Sequence, residues 1–169
     1  MLVLDTALGE VRIALLPDDA PLTVAHVSRV LPTLGPGLFY RAQRSEHIVP
    51  GREFEVLQGG WLLTEPTVAH EISVAHELGT VSLARFAPGT AATEFFICLS
   101  DNAPALDHGA PPPMDGDGFA VFGRVVSGLD VLIEIHRRPT SDTADNPLVR
   151  GQMLSEPVPF TVGLERGAA

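Results

Sequence analysis

The chain has 169 residues, of which 45% are apolar, and it carries a formal net charge of −10 at neutral pH. This length and apolar content predict a single globular domain over residues 1–169, and no apolar run is long enough to span a bilayer. The acidic balance disfavours nucleic acid and anionic membranes as partners, because both are recognised through a basic surface.

The first elements predicted along the chain are a hairpin, a helix and a strand. Apolar and polar residues alternate over residues 3–16, which is typical of a β-hairpin. A helix is predicted over residues 18–31, because Pro21 suits a first helical turn and an apolar stripe follows it. Residues 38–42 predict a strand that carries Arg41 beside apolar side chains. Desolvation of a guanidinium is costly, so Arg41 is expected either to reach water or to serve a function at an apolar surface.

The rest of the chain predicts more short strands and a second helix. Apolar residues recur at helical spacing over residues 129–138, which predicts that helix. Further strands are predicted over residues 55–63, 79–86, 93–100, 119–128 and 159–165, with loops over residues 43–53, 101–118 and 139–157. Seven or eight short strands, two helices and many Gly and Pro turns favour a sandwich or a closed barrel.

Motifs for metal, phosphate or nucleophilic chemistry are weak or missing. His70 and His76 are six residues apart, not the four that place two imidazoles on one helix face, so both are interpreted as solvated or capping histidines. The aspartates of residues 107–118 lack the spacing of a calcium loop. All eleven basic residues are arginine, which excludes Schiff-base chemistry. The single cysteine, Cys98, is expected to be a small buried side chain. A hydrolase or metal enzyme therefore has no supporting constellation.

Six stretches in order over residues 3–137 carry a more specific signal. They are "LLPDDAPLTVAHV" (15–27), Phe39-Tyr40-Arg41, Gln58-Gly59-Gly60, "HEISVAHELGTVSLAR" (70–85), "TEFFI" (93–97), and Leu106-Asp107 followed by "AVFGRVVSGLDVLIEI" (120–135). Together they resemble the motifs of the cyclophilin family of peptidyl-prolyl cis–trans isomerases, in a divergent, bacterial-like form. Tyr40 stands where the family signature has His, and Glu94 where it usually has Gln.

The resemblance implies a mainly β fold, a closed eight-stranded antiparallel barrel capped by two α-helices. It also implies catalysed rotation about Xaa-Pro bonds, which assists protein folding and needs no cofactor or metal. Amide resonance opposes that rotation with a barrier of about 18–20 kcal/mol. In the twisted transition state the proline nitrogen becomes pyramidal and basic, so a guanidinium aimed at it stabilises that state more than the planar one. Arginine suits this role because it stays protonated.

The family's site residues match positions of this sequence one by one. Arg41 matches the catalytic arginine, and Gln58 matches the glutamine that helps hold both arginine and substrate. Phe96 matches the floor of the proline pocket. The other substrate-binding positions implied are Val56 and Leu106 in the pocket wall, Phe119 at its rim, Ala84 and Arg85 along the peptide-binding edge, and Glu94. Arg85 is alternatively a solvated surface residue.

The departures from the family pattern leave alternatives open. Glu94 either pairs with Arg41, which would orient or sequester the guanidinium, or faces the cleft alone. The aromatic position three residues before Gln58 is occupied by Glu55, unless Phe54 takes its place through a shifted bulge. Residues 43–53 form an insertion beside the site, and the loop of residues 107–118 is expanded. The alternative function is therefore a proline-peptide binding module with weak or no catalysis.

The expected partners are proline-containing segments of client proteins, bound by a monomer, with neither nucleic acid nor membrane insertion involved. No signal-like pattern follows Met1, so a cytoplasmic location is expected, or a periplasmic one if a signal has been removed. Ala105 stands where drug-sensitive members of the family often have Trp, so binding of cyclosporin-like cyclic peptides is expected to be weak.

Overall fold

The computed structural model describes residues 1–44, 53–112 and 114–165. Three α-helices and nine strands are present in these residues. The helices are α1 (Pro21–Val30), α2 (Ala103–Leu106) and α3 (Leu129–His136), with short 3-10 helices at Leu31–Thr33 and Pro147–Val149. The strands are β1 (Leu2–Thr6), β2 (Gly9–Leu15), β3 (Gly37–Gln43), β4 (Val56–Gly60), β5 (Thr80–Leu83), β6 (Phe95–Cys98), β7 (Val121–Ser127), β8 (Thr140–Ser141) and β9 (Met153–Leu164).

Eight of the strands close into an antiparallel barrel, which confirms the expected fold class. The hydrogen-bonded order is β1-β2-β7-β5-β6-β4-β3-β9, and β9 returns to pair with β1. That closing ladder runs from Leu2 opposite Leu164 to Thr6 opposite Phe160. The two-residue strand β8 pairs only with β9. Closure removes the exposed edges that an open sheet would present.

Strand alternation sorts the apolar residues between the barrel interior and one outer face. In β6, Phe95 and Ile97 belong to the interior core, whereas Phe96 and Cys98 belong to a separate apolar cluster. Successive side chains of a strand point to opposite faces, so the run of four apolar residues feeds both clusters. Both longer helices add to the interior, as Val27 of α1 and residues of α3 do.

A β-bulge at Tyr40 sets the direction of the arginine that follows it. Phe39 pairs with Gly59 and Arg41 with Gln58, so Tyr40 is an extra residue on β3. Without it, Phe39 and Arg41 would share one face of the strand. The bulge lets Phe39 fill the core while Arg41 turns outward, because an extra residue reverses the alternation beyond it.

The bounds of several predicted elements shift in the structure, and two of these changes have a clear local cause. The strand predicted over residues 55–63 ends at Gly60, whose backbone φ of +133° leaves the strand region. Trp61 then turns away and donates its indole N–H to the carbonyl of Gly35, at 2.8 Å. The loop predicted over residues 101–118 contains α2, which follows Asn102 and has Pro104 in its first turn, a position that tolerates proline.

The loop predicted over residues 139–157 is also wrong in part. It contains β8, the second 3-10 helix and the first five residues of β9. The prolines Pro157 and Pro159 hid this strand, because a proline cannot donate a ladder hydrogen bond. Phe39 pairs with Val158 and Arg41 with Met153, so a multi-residue bulge on β9 interrupts the ladder between these two pairs. The insertion predicted over residues 43–53 lies mostly outside the described residues.

Within the described ranges, the structure has no helix with the length and apolar character to cross a membrane.

Candidate active site

One cleft of about 600 Å³ opens on the outer face of the barrel. The alternation of β3, β4 and β6 places side chains from all three strands along it. All nine residues singled out from the sequence line this cleft: Arg41, Val56, Gln58, Ala84, Arg85, Glu94, Phe96, Leu106 and Phe119. The structure therefore brings together residues that are far apart in the chain, from Arg41 to Phe119.

The deepest part of the cleft is an apolar pocket. Phe96 and Leu106 are almost fully buried there, and the ring of Phe119 meets that of Phe96 edge-on at 5.3 Å between centroids. Phe54 also lines the pocket and is only 2% exposed, so it supplies the aromatic side chain before Gln58. Glu55 points elsewhere, with its carboxylate 3.4 Å from the imidazole of His136. A pocket with aromatic and aliphatic walls suits a ring such as that of proline.

The guanidinium of Arg41 lies beside this pocket and is held by two amide side chains. Its Nε and one terminal nitrogen donate to the side-chain oxygen of Gln152, at 2.9 and 2.6 Å. The other terminal nitrogen donates to the side-chain oxygen of Gln58 at 3.4 Å. Burial lowers the pKa of Arg41, while the nearby Tyr40 and Glu94 act in the opposite direction. The group remains a cation with a fixed orientation.

Gln152 was missed by the sequence analysis. Gln152 is 3% exposed, and its side-chain amide donates to the carbonyl of Leu148 at 3.0 Å. Its backbone carbonyl accepts from the backbone N–H of Ala42 at 2.8 Å. It lies 111 residues from Arg41, in a stretch without apolar periodicity, so no local signal marks it. Only the pairing of β3 with the start of β9 brings the two side chains together.

The two departures from the family motifs contact each other. The Tyr40 hydroxyl donates to the carboxylate of Glu94 and accepts from the amide of Gln58 at 2.9 Å. Burial, followed by the hydrogen bond to Glu94, raises the pKa of Tyr40 well above its usual range. Within the described residues, Glu94 makes no ion pair with Arg41. The bidentate clamp considered from the sequence is therefore not the arrangement found.

His76 supports the pocket from beneath. Its ring is 1% exposed and stacks on Phe96, with centroids 5.9 Å apart and planes 19° from parallel. Nδ1 lies 2.7 Å from a carboxylate oxygen of Asp107, and Nε2 lies 3.0 Å from the hydroxyl of Ser82. The interpretation of His76 as a solvated or capping residue is wrong, because its two ring nitrogens are satisfied inside the protein.

Arg85 lines the cleft, and the alternative of a solvated surface residue is wrong. Its side chain is 2% exposed and forms an ion pair with Asp115 at 2.7 Å. Its Nε also donates to the carbonyl of Gly118 at 3.2 Å, and its guanidinium carbon lies 4.4 Å over the ring of Phe119. Arg85 therefore fastens the loop of residues 107–118 to the wall of the cleft.

No group of three or more His, Cys, Asp and Glu side chains that could hold a metal ion occurs in residues 1–44, 53–112 and 114–165.

Comparison with known proteins agrees with the fold and the motifs. A model of the family described as "Cyclophilin type peptidyl-prolyl cis-trans isomerase/CLD" matches residues 1–156. "Peptidyl-prolyl cis-trans isomerase A" of Dickeya dadantii is 33% identical over 149 residues, covering 83% of this chain and 73% of the relative. A peptidyl-prolyl cis-trans isomerase of Acinetobacter baylyi is 28% identical over 150 residues, covering 83% and 74%.

Among solved structures, a similar fold occurs in a Cryptosporidium parvum cyclophilin-type peptidyl-prolyl cis-trans isomerase crystallised in the presence of the dipeptide Ala-Pro. The TM-score is 0.65 at 16% identity, and the alignment covers 98% of this chain and 99% of that one. At that identity the likeness supports the fold alone. With the match of the family model over most of its length, the chain belongs to the cyclophilin-type peptidyl-prolyl cis–trans isomerase family.

Proposed function

We propose that this protein catalyses cis–trans isomerisation of Xaa-Pro bonds in client polypeptides, with Arg41 as the catalytic donor. The observation that carries the proposal is the guanidinium of Arg41, held by Gln58 and Gln152 at the edge of an apolar pocket floored by Phe96. The pocket would grip the proline ring and remove water from the amide. The planar amide is more polar than the twisted one, so a dry site favours rotation.

In this mechanism, Arg41 stabilises the transition state and not the planar amide. As the bond twists, the lone pair of the proline nitrogen leaves resonance and becomes an acceptor for Arg41. A fixed donor needs little reorganisation at that moment, which is why its restraint by two amides contributes to the rate. No covalent bond forms and no proton is transferred. Gln58 would hold both Arg41 and the substrate, while Val56, Leu106 and Phe119 would enclose the ring.

The extended peptide would lie along Ala84 on the outer side of the cleft. The backbone N–H of Ala84 is bonded to the carbonyl of Glu94, which fixes this wall of the cleft. In this proposal Arg85 contributes by bracing Phe119. The Ala-Pro dipeptide present with the Cryptosporidium relative supports proline-containing segments as the ligand class.

The alternative of a binding module without catalysis rests on Glu94 sequestering Arg41 and on the changed loops beside the site. The hydrogen bond from Tyr40 to Glu94 argues against sequestration, because the carboxylate accepts from the phenol and forms no ion pair with the guanidinium in the described residues. NMR exchange spectroscopy on a short Ala-Pro-Phe peptide separates the two functions. The proposal predicts cis–trans exchange cross-peaks at catalytic amounts of protein. Line broadening of the peptide without exchange would instead establish a binding module.

A further inference from the structure

Two carboxylates line the cleft close to the apolar pocket. Glu94 is half-buried and comes directly before β6, while Glu65 is exposed in the segment after β4. The cations that line the same cleft are Arg41 and Arg85. The charge that the cleft offers to a peptide depends on which of these four groups are already neutralised.

The charge of Arg85 is neutralised within the protein. It is paired with Asp115, and its side chain is almost fully buried under the loop of residues 107–118. Arg41 is bonded to uncharged amides. Among the residues that the structure describes, neither Glu94 nor Glu65 has an arginine or histidine within ion-pair distance. Two carboxylates therefore face one available guanidinium, and the cleft as a whole is acidic.

Glu94 is kept in this state by its neighbour. The Tyr40 hydroxyl binds its carboxylate, and Gln58 in turn binds the hydroxyl. A phenol satisfies one lone pair of the carboxylate but leaves its charge intact. The carboxylate therefore keeps its negative charge and forms no ion pair within the described residues, while Arg41 interacts with it only at longer range.

The position of Glu94 relates it to the substrate. Glu94 lies two residues before Phe96, on the same outer face of the strand, which corresponds to a separation of about 7 Å. A proline seated on Phe96 therefore places side chains one or two residues along the peptide over Glu94. Glu65 lies further out on the same cleft and extends the negative field.

We propose that this site selects proline segments that carry lysine or arginine within two residues of the proline, and that Glu94 is the main specificity determinant, with Glu65 assisting. The inference rests on the proposed isomerase function and names its substrate class. The net charge of −10 adds long-range attraction for such basic segments. A partly exposed ion pair predicts a preference of about fivefold in kcat/KM for a cationic over a neutral peptide at low salt.

The test uses NMR exchange rates on matched Xaa-Pro peptides that differ only by Lys, Gln or Glu at one position within two residues of the proline. The intact protein is expected to process the Lys peptide fastest and the Glu peptide slowest, with the ratio shrinking at about 0.5 M salt because of screening. Glu94→Gln is expected to reduce the Lys-to-Glu ratio most, and Glu65→Gln to a smaller degree. Glu134→Gln, an exposed carboxylate on α3 outside the cleft, is the matched control and is expected to keep the ratio of the intact protein.

Equal rates for the Lys and Glu peptides in the intact protein would overturn the inference and leave the isomerase function standing. A ratio that persists in the Glu94→Gln, Glu65→Gln double variant would also overturn it, since the charge would then come from elsewhere. Absence of exchange with every peptide, including the neutral one, would instead refute the proposed function itself.

Discussion

Arg41 is positioned by amides, and this distinguishes a donor that is available to a substrate from one that is neutralised. A carboxylate in the place of Gln152 would pair with the guanidinium and compete with any acceptor on the peptide. The amide oxygen of Gln152 accepts two N–H groups of Arg41 and leaves the charge uncompensated. The donor geometry is fixed while its electrostatic strength is retained.

Replacing Gln152 by alanine tests this positioning role. Gln152→Ala leaves Arg41 with the longer contact to Gln58, so the guanidinium will sample more orientations. We expect kcat to fall about tenfold with KM nearly unchanged, because misplacement of a transition-state donor affects the rate more than ground-state binding. Exchange rates across a range of peptide concentrations separate the two constants.

Gln152→Glu is the comparison variant: its carboxylate is expected to hold the guanidinium in place but to pair with it, so the rate should fall through lost electrostatic strength and not through lost orientation. A rate for Gln152→Ala within twofold of the intact protein would show that Gln58 alone positions Arg41.

For single residues, the sequence was enough to predict the site positions that lie in recognisable motifs. It was not enough to predict positions that reach the site only through pairing of distant strands. Arg41, Gln58 and Phe96 each lie in a motif with its own signature. Gln152 has none, because its contact depends on the register between two distant strands. Phe54 was an open alternative because it precedes β4, where no strand alternation decides which side chain enters the pocket.

At the scale of elements, β5, β6 and α2 meet at the pocket floor through their contacts with His76. His76 stacks on Phe96 of β6, bonds Ser82 of β5 and bonds Asp107 at the end of α2. The spacing of the histidines in the sequence suggested a surface role, because spacing along the chain carries no information on these contacts between distant elements. Bulges at Tyr40 and in β9 were likewise invisible, because each shows only in the strand register.

Burial of histidine predicts a pH dependence of stability. Burial lowers the pKa of His76 and of His136 below the ordinary value of 6.5, and the hydrogen bond of His76 with Asp107 offsets this only in part. The unfolded chain therefore binds more protons than the folded one as pH falls through 6.5. The free energy of unfolding should decrease from pH 7.5 to 5.5, with a slope of at most about 1.4 kcal/mol per pH unit for each histidine.

Urea unfolding at pH 7.5, 6.5 and 5.5 measures this slope, and the range stays above the usual titration of carboxylates. The variant His76→Gln is expected to show a shallower slope than the intact protein, whatever its absolute stability. A slope of the opposite sign, or one that His76→Gln leaves unchanged, would contradict the assignment of neutral His76 to the pocket floor.

For the whole molecule, the last strand closes the barrel and supplies part of its core. Phe160 of β9 is 1% exposed and contacts the rings of Phe39, Phe95 and Trp61 at 4.7 to 5.6 Å between centroids. Because Phe39 is followed directly by the bulge that aims Arg41, core packing and site geometry share one strand. The motif order and alternating pattern were enough to predict the closed barrel. They were not enough to predict where β9 begins.

Phe160→Ala is expected to lower the free energy of unfolding by about 3–5 kcal/mol, since it removes a large side chain from a closed core and leaves a cavity. Chemical denaturation monitored by circular dichroism measures the change. Phe86→Ala is the matched control, because Phe86 is 91% exposed and its loss is expected to change stability by less than about 0.5 kcal/mol. Similar effects of the two variants would contradict the placement of Phe160 at the barrel seam.

The proposed function depends most on the guanidinium of Arg41 as the group that accelerates bond rotation. The most direct test measures cis–trans exchange of an Ala-Pro-Phe peptide by NMR with intact protein and with Arg41→Ala, together with the Kd of each for the peptide. We predict that exchange falls by about 100-fold or more in the variant, as for loss of a transition-state donor, while the Kd changes far less because the pocket around Phe96 remains. Exchange that is unchanged in Arg41→Ala would contradict the account and place the catalytic group elsewhere.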